Sequence, residues 1–309
     1  AARVAAASKL RPLVDKWERG EDADMARAMF ALSEFQSGNR IFMSADKIEP
    51  EALVYVPSYY KPLDTFVGGY PNAGLTIVAG ITGTGKTSFL IELAISAAEA
   101  GKTSAILSLE MTRGQVVYRM LEINPRLTKK SRKLILLSDD VYDVDEVAAV
   151  ATQLASQHKL HFIGVDYADM LVGTKEQSEG VMGRIYNGLA VLAKKLRLPI
   201  VLVAQYRRTD GRAPTIEDIR YSGRAEQAAS MILLLYNPGQ VWSRSHMVED
   251  NNPLVVIEGT AHIVVGKTRF KGPKQRSAIG GIRVFWKSSG GRWGDAVGRD
   301  AWQDLTGKI

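Results

Sequence analysis

The chain has 309 residues, 46% of them hydrophobic and 24% charged, a globular composition that excludes disorder and collagen-like repeats and supports a core without covalent staples. It has no cysteine and only four histidines, which rules out disulfides and argues against a zinc site, so any metal takes oxygen ligands. Forty Lys+Arg against 33 Asp+Glu give +7, and residues 206–309 carry 16 basic against 10 acidic groups while residues 1–50 hold eight of each. The excess therefore belongs to the last third and reads equally as the footprint of a polyanionic partner or as a solvated basic face.

No apolar run approaches the ~20 residues needed to span a bilayer. The opening AARVAAASKL lacks the apolar centre of a secretory signal. The expectation is a soluble, cytoplasmic chain with no membrane partner, and its start at alanine reads as a processed or trimmed piece. Residues 11–36 have helical spacing of Leu13, Trp17, Met25, Ala28, Met29 and Leu32. Gln36–Gly38, Pro50 and Pro57 then mark a boundary, giving a helical linker or arm over residues 1–50 and a second unit over 51–309.

From about residue 52, short β-branched runs alternate with helical stretches, the signature of α/β units around a mostly parallel sheet flanked by helices. The reading is strand Leu75–Ala79, helix Lys86–Ala100, strand Ser104–Leu109, helix Val144–His158, strand His161–Val165, a helix ending at Leu198 and strand Ile200–Ala204. Asp143 with Glu146 opens the second helix, and Pro199 stops the third. Met231–Tyr236, Leu254–Ile257, Ile263–Val265 and Ile282–Trp286 follow without long helices and read as an antiparallel extension of the C-terminal edge.

Gly80-Ile-Thr-Gly-Thr-Gly85-Lys86-Thr87 fits G-x-x-x-x-G-K-[ST] between a strand and a helix, the context this phosphate-binding motif requires. Its glycines turn backbone N–H groups toward phosphate oxygens at a helix N-terminus. The nucleotide-binding set is Gly80, Gly83, Thr84, Gly85, Lys86, Thr87 and Ser88, with Lys86 reaching the β- and γ-phosphates of ATP and Thr87 binding Mg2+. Gly101-Lys102-Thr103 repeats the last three letters but closes a helix, so it is a turn. Asp166 ends an apolar strand where a carboxylate can hold the magnesium, and Asp169 reads as a second acidic partner or as a turn residue. Glu110 and Gln205 end neighbouring strands at the carboxyl edge, where open α/β sheets hold ligands. Glu110 is the candidate base, or else a surface glutamate opening a helix. Gln205 is the candidate γ-phosphate sensor.

The phosphate loop, Ser108-Leu-Glu-Met111, Val165-Asp-Tyr167, Ala204-Gln205, Ile219-Arg-Tyr-Ser-Gly223 with Glu226-Gln227, and Gly266-Lys-Thr-Arg269 stand in the order seen in DnaB-like hexameric replicative helicases. The chain resembles that family over roughly residues 55–290. The resemblance implies a RecA-like P-loop NTPase motor that forms a homo-oligomeric, hexameric ring, moves on single-stranded DNA and unwinds duplex DNA at a replication fork. Primase and a helicase loader are the further partners it implies. It makes Glu110 the catalytic base, Gln205 the sensor and Asp166 the magnesium-associated carboxylate. Lys267 and Arg269 would reach ATP held by the neighbouring subunit, with Arg269 as the arginine finger.

Arg220, Tyr221 and Gly223 match the family's DNA-contacting segment. Tyr221 departs from it, standing where the family usually has an acidic residue, and an aromatic there could stack on a base or sugar. Tyr206–Asp218, with Arg207, Arg208 and Arg212, is a second candidate loop, and Gly173–Gly180 with Lys175 a third. Lys271, Lys274 and Arg276 read as a solvated hairpin tip, and Ala228-Ala-Ser230 replaces the aspartates usual after Glu226-Gln227. Only about fifty residues precede the motor. The family's N-terminal collar is thus either outside this piece or absent from the protein, as would suit a phage or plasmid version. The rivals are a RecA-like DNA-dependent ATPase, whether recombinase or clock-type ring, and a small-molecule kinase. No acceptor-site motif supports the kinase, and Lys267-x-Arg269 with Arg220–Gly223 favours the helicase. Tyr59, Tyr60, Trp286, Trp293 and Trp302 read as packing residues rather than as an adenine site.

Overall fold

The computed structural model describes residues 55–166, 179–209, 212–237, 260–268, 280–287 and 292–296. The expected arm 1–50, the strand Leu254–Ile257, and Asp169, Lys175, Arg269, Lys271, Lys274, Arg276 and Trp302 lie outside the described residues. A small antiparallel pair, β1 (Tyr55–Val56) and β2 (Tyr70–Pro71), brackets α1 (Lys61–Val67). The run LTIVAG then forms β3 (Leu75–Gly80), buried at every position as a strand covered on both faces must be.

Helix α2 (Lys86–Glu99) follows, apolar nearly all round and buried from Ser88 to Ala98 apart from Ser96. The chain continues through β4 (Thr103–Ser108), α3 (Arg113–Ile123), α4 (Lys129–Arg132) and β5 (Ile135–Ser138) to α5 (Val144–Gln157) and β6 (Leu160–Asp166). It returns through α6 (Glu179–Leu196), β7 (Ile200–Gln205), α7 (Ser222–Ala228) and β8 (Met231–Tyr236), and closes with β9 (Thr260–Thr268), β10 (Gly280–Lys287) and β11 (Arg292–Ala296).

Among the described residues, nine strands form one sheet in the order β11-β10-β9-β8-β3-β7-β6-β4-β5. The six from β8 to β5 are parallel, and β9, β10 and β11 add on antiparallel. Alternate side chains of the strands feed two apolar layers: α1, α2 and α3 cover Val78, Ile106, Phe162 and Val203, while α5, α6 and α7 cover Ile77, Ala79, Leu107 and Val165. The expected mostly parallel sheet with an antiparallel C-terminal extension is therefore observed.

Two details differ from the sequence reading. Met231–Tyr236 belongs to the parallel block beside β3, because the seven-residue α7 carries the crossover and is too short to show helical periodicity. Between β4 and α5 the chain also builds α3, α4 and β5. Only three residues of α3 are buried and β5 has four residues, one of them buried, so neither carries enough apolar pattern to be read.

A Cβ on Gly164 of β6 would lie 2.7 Å from Leu90 Cδ1 of α2, closer than packed atoms tolerate. Gly164→Ala should lower the unfolding free energy, and by clearly less in a Leu90→Ala background. Equal costs in chemical denaturation of the single and double variants would contradict this packing.

Candidate nucleotide site

The strand order fixes the site before any side chain is placed. β3 leads through α2 toward β4 and β5, and β7 returns to pair with β3, so the carboxyl ends of β3 and β7 flank the point where the chain reverses direction across the sheet. The phosphate loop leaves β3 there. Gly83 and Gly85 adopt φ of 83° and 86°, left-handed geometry that a side chain would strain. A Cβ on Gly80 would come within 2.9 Å of Lys86 Cγ, so glycine lets the lysine stem fold back over the strand end. Lys86 Nζ donates to the Ile81 carbonyl at 3.0 Å. Thr84 is buried and gives both its hydroxyl (2.6 Å) and its N–H (3.2 Å) to the same carbonyl, so it shapes the loop from within. Ser88 is buried in the first turn of α2.

Asp166 ends β6, 1% exposed, and neither carboxylate oxygen makes a full hydrogen bond. Burial pushes its pKa up to about 6; the nearby Thr87 hydroxyl favours the charged form, the Glu110 charge opposes it, and the Lys86 ammonium favours it again. A buried, orphaned carboxylate beside a threonine hydroxyl at a phosphate loop is a hard-oxygen donor set that fits magnesium. Among the described residues no cluster of three or more acidic or histidine side chains forms an all-protein metal cage.

Glu110 is held beside this carboxylate by its turn. Leu109 N–H donates to the Asp166 carbonyl at 2.6 Å and Met111 N–H to Ser108 Oγ at 3.0 Å. Thr112 and Gln115 then cap α3 reciprocally, so the Glu110 side chain projects, exposed, from a turn pinned at both ends. Gln205 is the register partner of Gly80, and its Nε2 donates to Thr82 Oγ1 of the phosphate loop at 3.0 Å.

The site thus brings together Gly80, Gly83, Thr84, Gly85, Lys86, Thr87, Ser88, Glu110, Asp166 and Gln205. Lys267 is not among them. It pairs with Ile232 near the amino end of β8, and its Nζ donates to the Glu226 carbonyl of the same chain.

The model of the DnaB-like helicase C terminal domain matches residues 55–141 and 126–289. The chain belongs to this family. Replicative DNA helicase DnaB of Rickettsia prowazekii is 24% identical over 280 residues, covering 75% of this chain and 56% of that protein. The protein of the same name from Helicobacter pylori is 27% identical over 212 residues, covering 59% and 43%. The chain spans about half the length of these curated DnaB relatives. Among solved structures, an ATPase domain superposes with a TM-score of 0.63 at 18% identity, over 89% of this chain and 99% of that one. A DnaB-like replicative helicase studied with its primase interactions also gives 0.63, at 17% identity, over 95% and 77%. The fold is that of these RecA-like ATPase domains.

In this DnaB-type chain the described residues expected at DNA, Arg207, Arg208, Arg220, Tyr221 and Gly223, follow β7. Arg207 and Arg208 are exposed on the loop after β7, whose base is closed by a Tyr206–Ile219 bridge and an Arg207 N–H···Asp218 carbonyl bond of 2.8 Å. Arg212 is committed to that loop's own structure through a two-pronged pair with Asp218. Burial alone would raise the Asp218 pKa, but the Arg212 and Thr215 hydrogen bonds and the Arg212 charge hold it below the usual aspartate value. Arg220 is exposed. Tyr221, at φ 55°, is half-buried against the α5–α6–α7 layer, which takes up part of the ring that sequence reasoning left for stacking. A Cβ on Gly223 would meet nothing within 4 Å, so nothing within the described chain requires glycine there. Sequence reasoning missed Thr82 as the partner of Gln205, and it missed the Thr112–Gln115 cap although T-x-x-Q is a legible helix-start signal. Nothing local in the sequence announced the Arg212–Asp218 pair.

Because folding raises the Asp166 pKa above the ordinary 3.8, its contribution to stability is present at low pH and lost as pH rises through about 6. Asp166→Asn should therefore raise the melting temperature of nucleotide-free protein most at pH 8, by less at pH 5, which lies between the unfolded and folded values, and least below the ordinary 3.8; it should also abolish stabilisation by magnesium nucleotide. An unchanged melting temperature at pH 8 would contradict a buried, uncompensated charge.

Proposed function

We propose that this chain is the ATP-hydrolysing motor of a DnaB-like replicative DNA helicase: a cytoplasmic protein that assembles as a hexameric ring, moves on single-stranded DNA and unwinds the duplex at a replication fork. The observation that carries the reading is the convergence of Lys86, Thr87, Asp166, Glu110 and Gln205 on one strand edge, with the Asp166 carboxylate buried and lacking a full hydrogen bond. Primase and a helicase loader are the partners this reading carries.

Backbone N–H groups of the phosphate loop and Lys86 bind and orient the β- and γ-phosphates of ATP. The Thr87 hydroxyl and the Asp166 carboxylate would hold magnesium, which when bound neutralises charge on the phosphate oxygens. Glu110 accepts the proton of the attacking water. Gln205 exchanges its bond to Thr82 for one to the γ-phosphate and so reports its presence to the DNA-contacting loop that follows β7. The exposed Arg207, Arg208 and Arg220 contact DNA phosphates, as does Lys175, and Gly223 admits a close backbone approach.

Lys267 and Arg269 act on a neighbour's nucleotide. Lys267 stands level with Ile77 of β3, three residues short of Gly80 and so ~10 Å back along the strand axis, and its ammonium is turned to the Glu226 carbonyl. That placement suits a group serving another subunit better than its own. A guanidinium supplied across an interface is worth roughly a thousandfold or more in rate.

Lys86→Ala should abolish ATP hydrolysis with the fold retained; normal turnover would overturn the nucleotide assignment. Subunits carrying Arg269→Ala, mixed with Glu110→Gln subunits, should recover part of the hydrolysis that each lacks alone. Mixed assemblies that stay inactive would count against a shared site.

A further inference from the structure

The opposite, amino edge of the parallel sheet carries a row of exposed cations. Lys102 immediately precedes β4 and Lys159 immediately precedes β6, where Thr103 pairs with Leu160. Lys133 stands two residues before β5, which enters its pairing with β4 at Ser104–Ile135, and Arg197 stands three residues before Ile200 of β7. In the strand order β5-β4-β6-β7, Lys133, Lys102, Lys159 and Arg197 thus stand in turn just before the amino ends of four neighbouring strands. All four are exposed, as are Lys129 and Lys130 of the adjoining α4. Lys129, Lys130, Lys133 and Lys159 have no acidic partner among the described residues. Two acids stand near this edge, Asp64, which accepts from Ser58 N–H, Ser58 Oγ and Tyr59 N–H, and Glu99, which accepts from Asn124; both keep their charge and offset part of the row. Like charges gathered at the ends of adjacent strands repel, a cost that a polyanion laid along the row would reduce.

An aromatic side chain is built into the same edge. Tyr59 is held at φ 62°, a conformation rare for a residue with a side chain, by the N–H bonds to Asp64. Its half-buried ring packs in part on the α1–α2–α3 layer and lies 5.2 Å from the His161 ring, with the Lys102 ammonium over it 5.9 Å from the centroid, so that only its exposed part is open to a base. His161 is fixed in turn by a 2.6 Å bond to the Pro57 carbonyl. Cations in a line with an aromatic among them form the pattern that binds single-stranded nucleic acid, where phosphates track the charges and a base stacks on the ring. A duplex, with its bases stacked inside, has no use for the aromatic.

We infer that this amino edge is a second single-stranded nucleic-acid site, centred on Tyr59, Lys102, Lys133 and Lys159. It lies across the sheet from the phosphate loop and from the loops proposed to line the channel. It goes beyond the motor reading and does not require it.

The test is fluorescence anisotropy of labelled oligothymidylate on the full chain, titrated over a range of salt, with Arg220→Ala as a channel control. In Lys133→Ala/Lys159→Ala the slope of log affinity against log salt should shrink by about 0.7 for each lost phosphate contact. Tyr59→Ala should weaken binding roughly tenfold, on the scale of one lost base stack, without changing that slope, and Tyr59→Phe should bind normally. ATP turnover without DNA should be unaffected in the lysine variant. Unchanged slope and affinity in the edge variants, with Arg220→Ala weakened, would overturn the second site and leave the motor reading standing. Weakened edge variants beside a normal Arg220→Ala would support the second site and count against the channel. Loss of duplex binding alone, or of oligomer mass in light scattering, would overturn it in favour of a duplex or a neighbouring subunit.

Discussion

The parallel pairing of β3 with β7, in register from Leu75–Ile200 to Gly80–Gln205, is the constraint on which the rest of the molecule depends. It inserts the returning strand beside the strand that carries the phosphate loop, so Gln205 reaches Thr82. It also sets β6, with Asp166 at its end, one strand further away, and β4, with Glu110 beyond it, one further still. Strands of nearly equal length that share a direction end at a common edge. Residues separated by more than a hundred positions therefore meet there without long side-chain reach.

How much of this was legible follows from the range of each signal. The phosphate loop is local: eight consecutive residues between a buried strand and a buried helix specify their own geometry. Asp166, Glu110 and Gln205 could be read as strand ends, but the bonds that bring them together could not. Thr82–Gln205 spans 123 positions and the Leu109–Asp166 bond joins the ends of the neighbouring strands β4 and β6. The short elements α3, α4, β5 and α7 escaped because tertiary pairing, not apolar periodicity, stabilises them. Charge has a similar range limit. Summed over segments, the excess falls in the last third of the chain, and such a sum does not show Lys102, Lys133, Lys159 and Arg197, which the sheet collects at one edge from four separate connections.

The carboxyl edge holds both signs: Glu110 and Asp166 beside Lys86, Asp139 and Asp140 paired with Arg113, and the exposed Arg207, Arg208 and Arg220. Asp166 stays buried with both carboxylate oxygens lacking a full hydrogen bond, and a structure that kept it without use would gain stability by replacing it. Its presence at the end of β6 therefore points to chemistry at the phosphate loop rather than to folding. The Arg212–Asp218 pair has the opposite logic, since both partners are matched and their effect is to fix the shape of the loop that presents Arg207 and Arg208.

A motor converts nucleotide hydrolysis at this edge into work on DNA. ATP-driven strand displacement on a forked duplex, run with the wild-type chain and with Lys86→Ala, measures this. Displacement by the wild-type chain alone is the predicted result. Hydrolysis stimulated by single-stranded DNA but without displacement would contradict a helicase motor and favour a DNA-dependent ATPase of the recombinase kind.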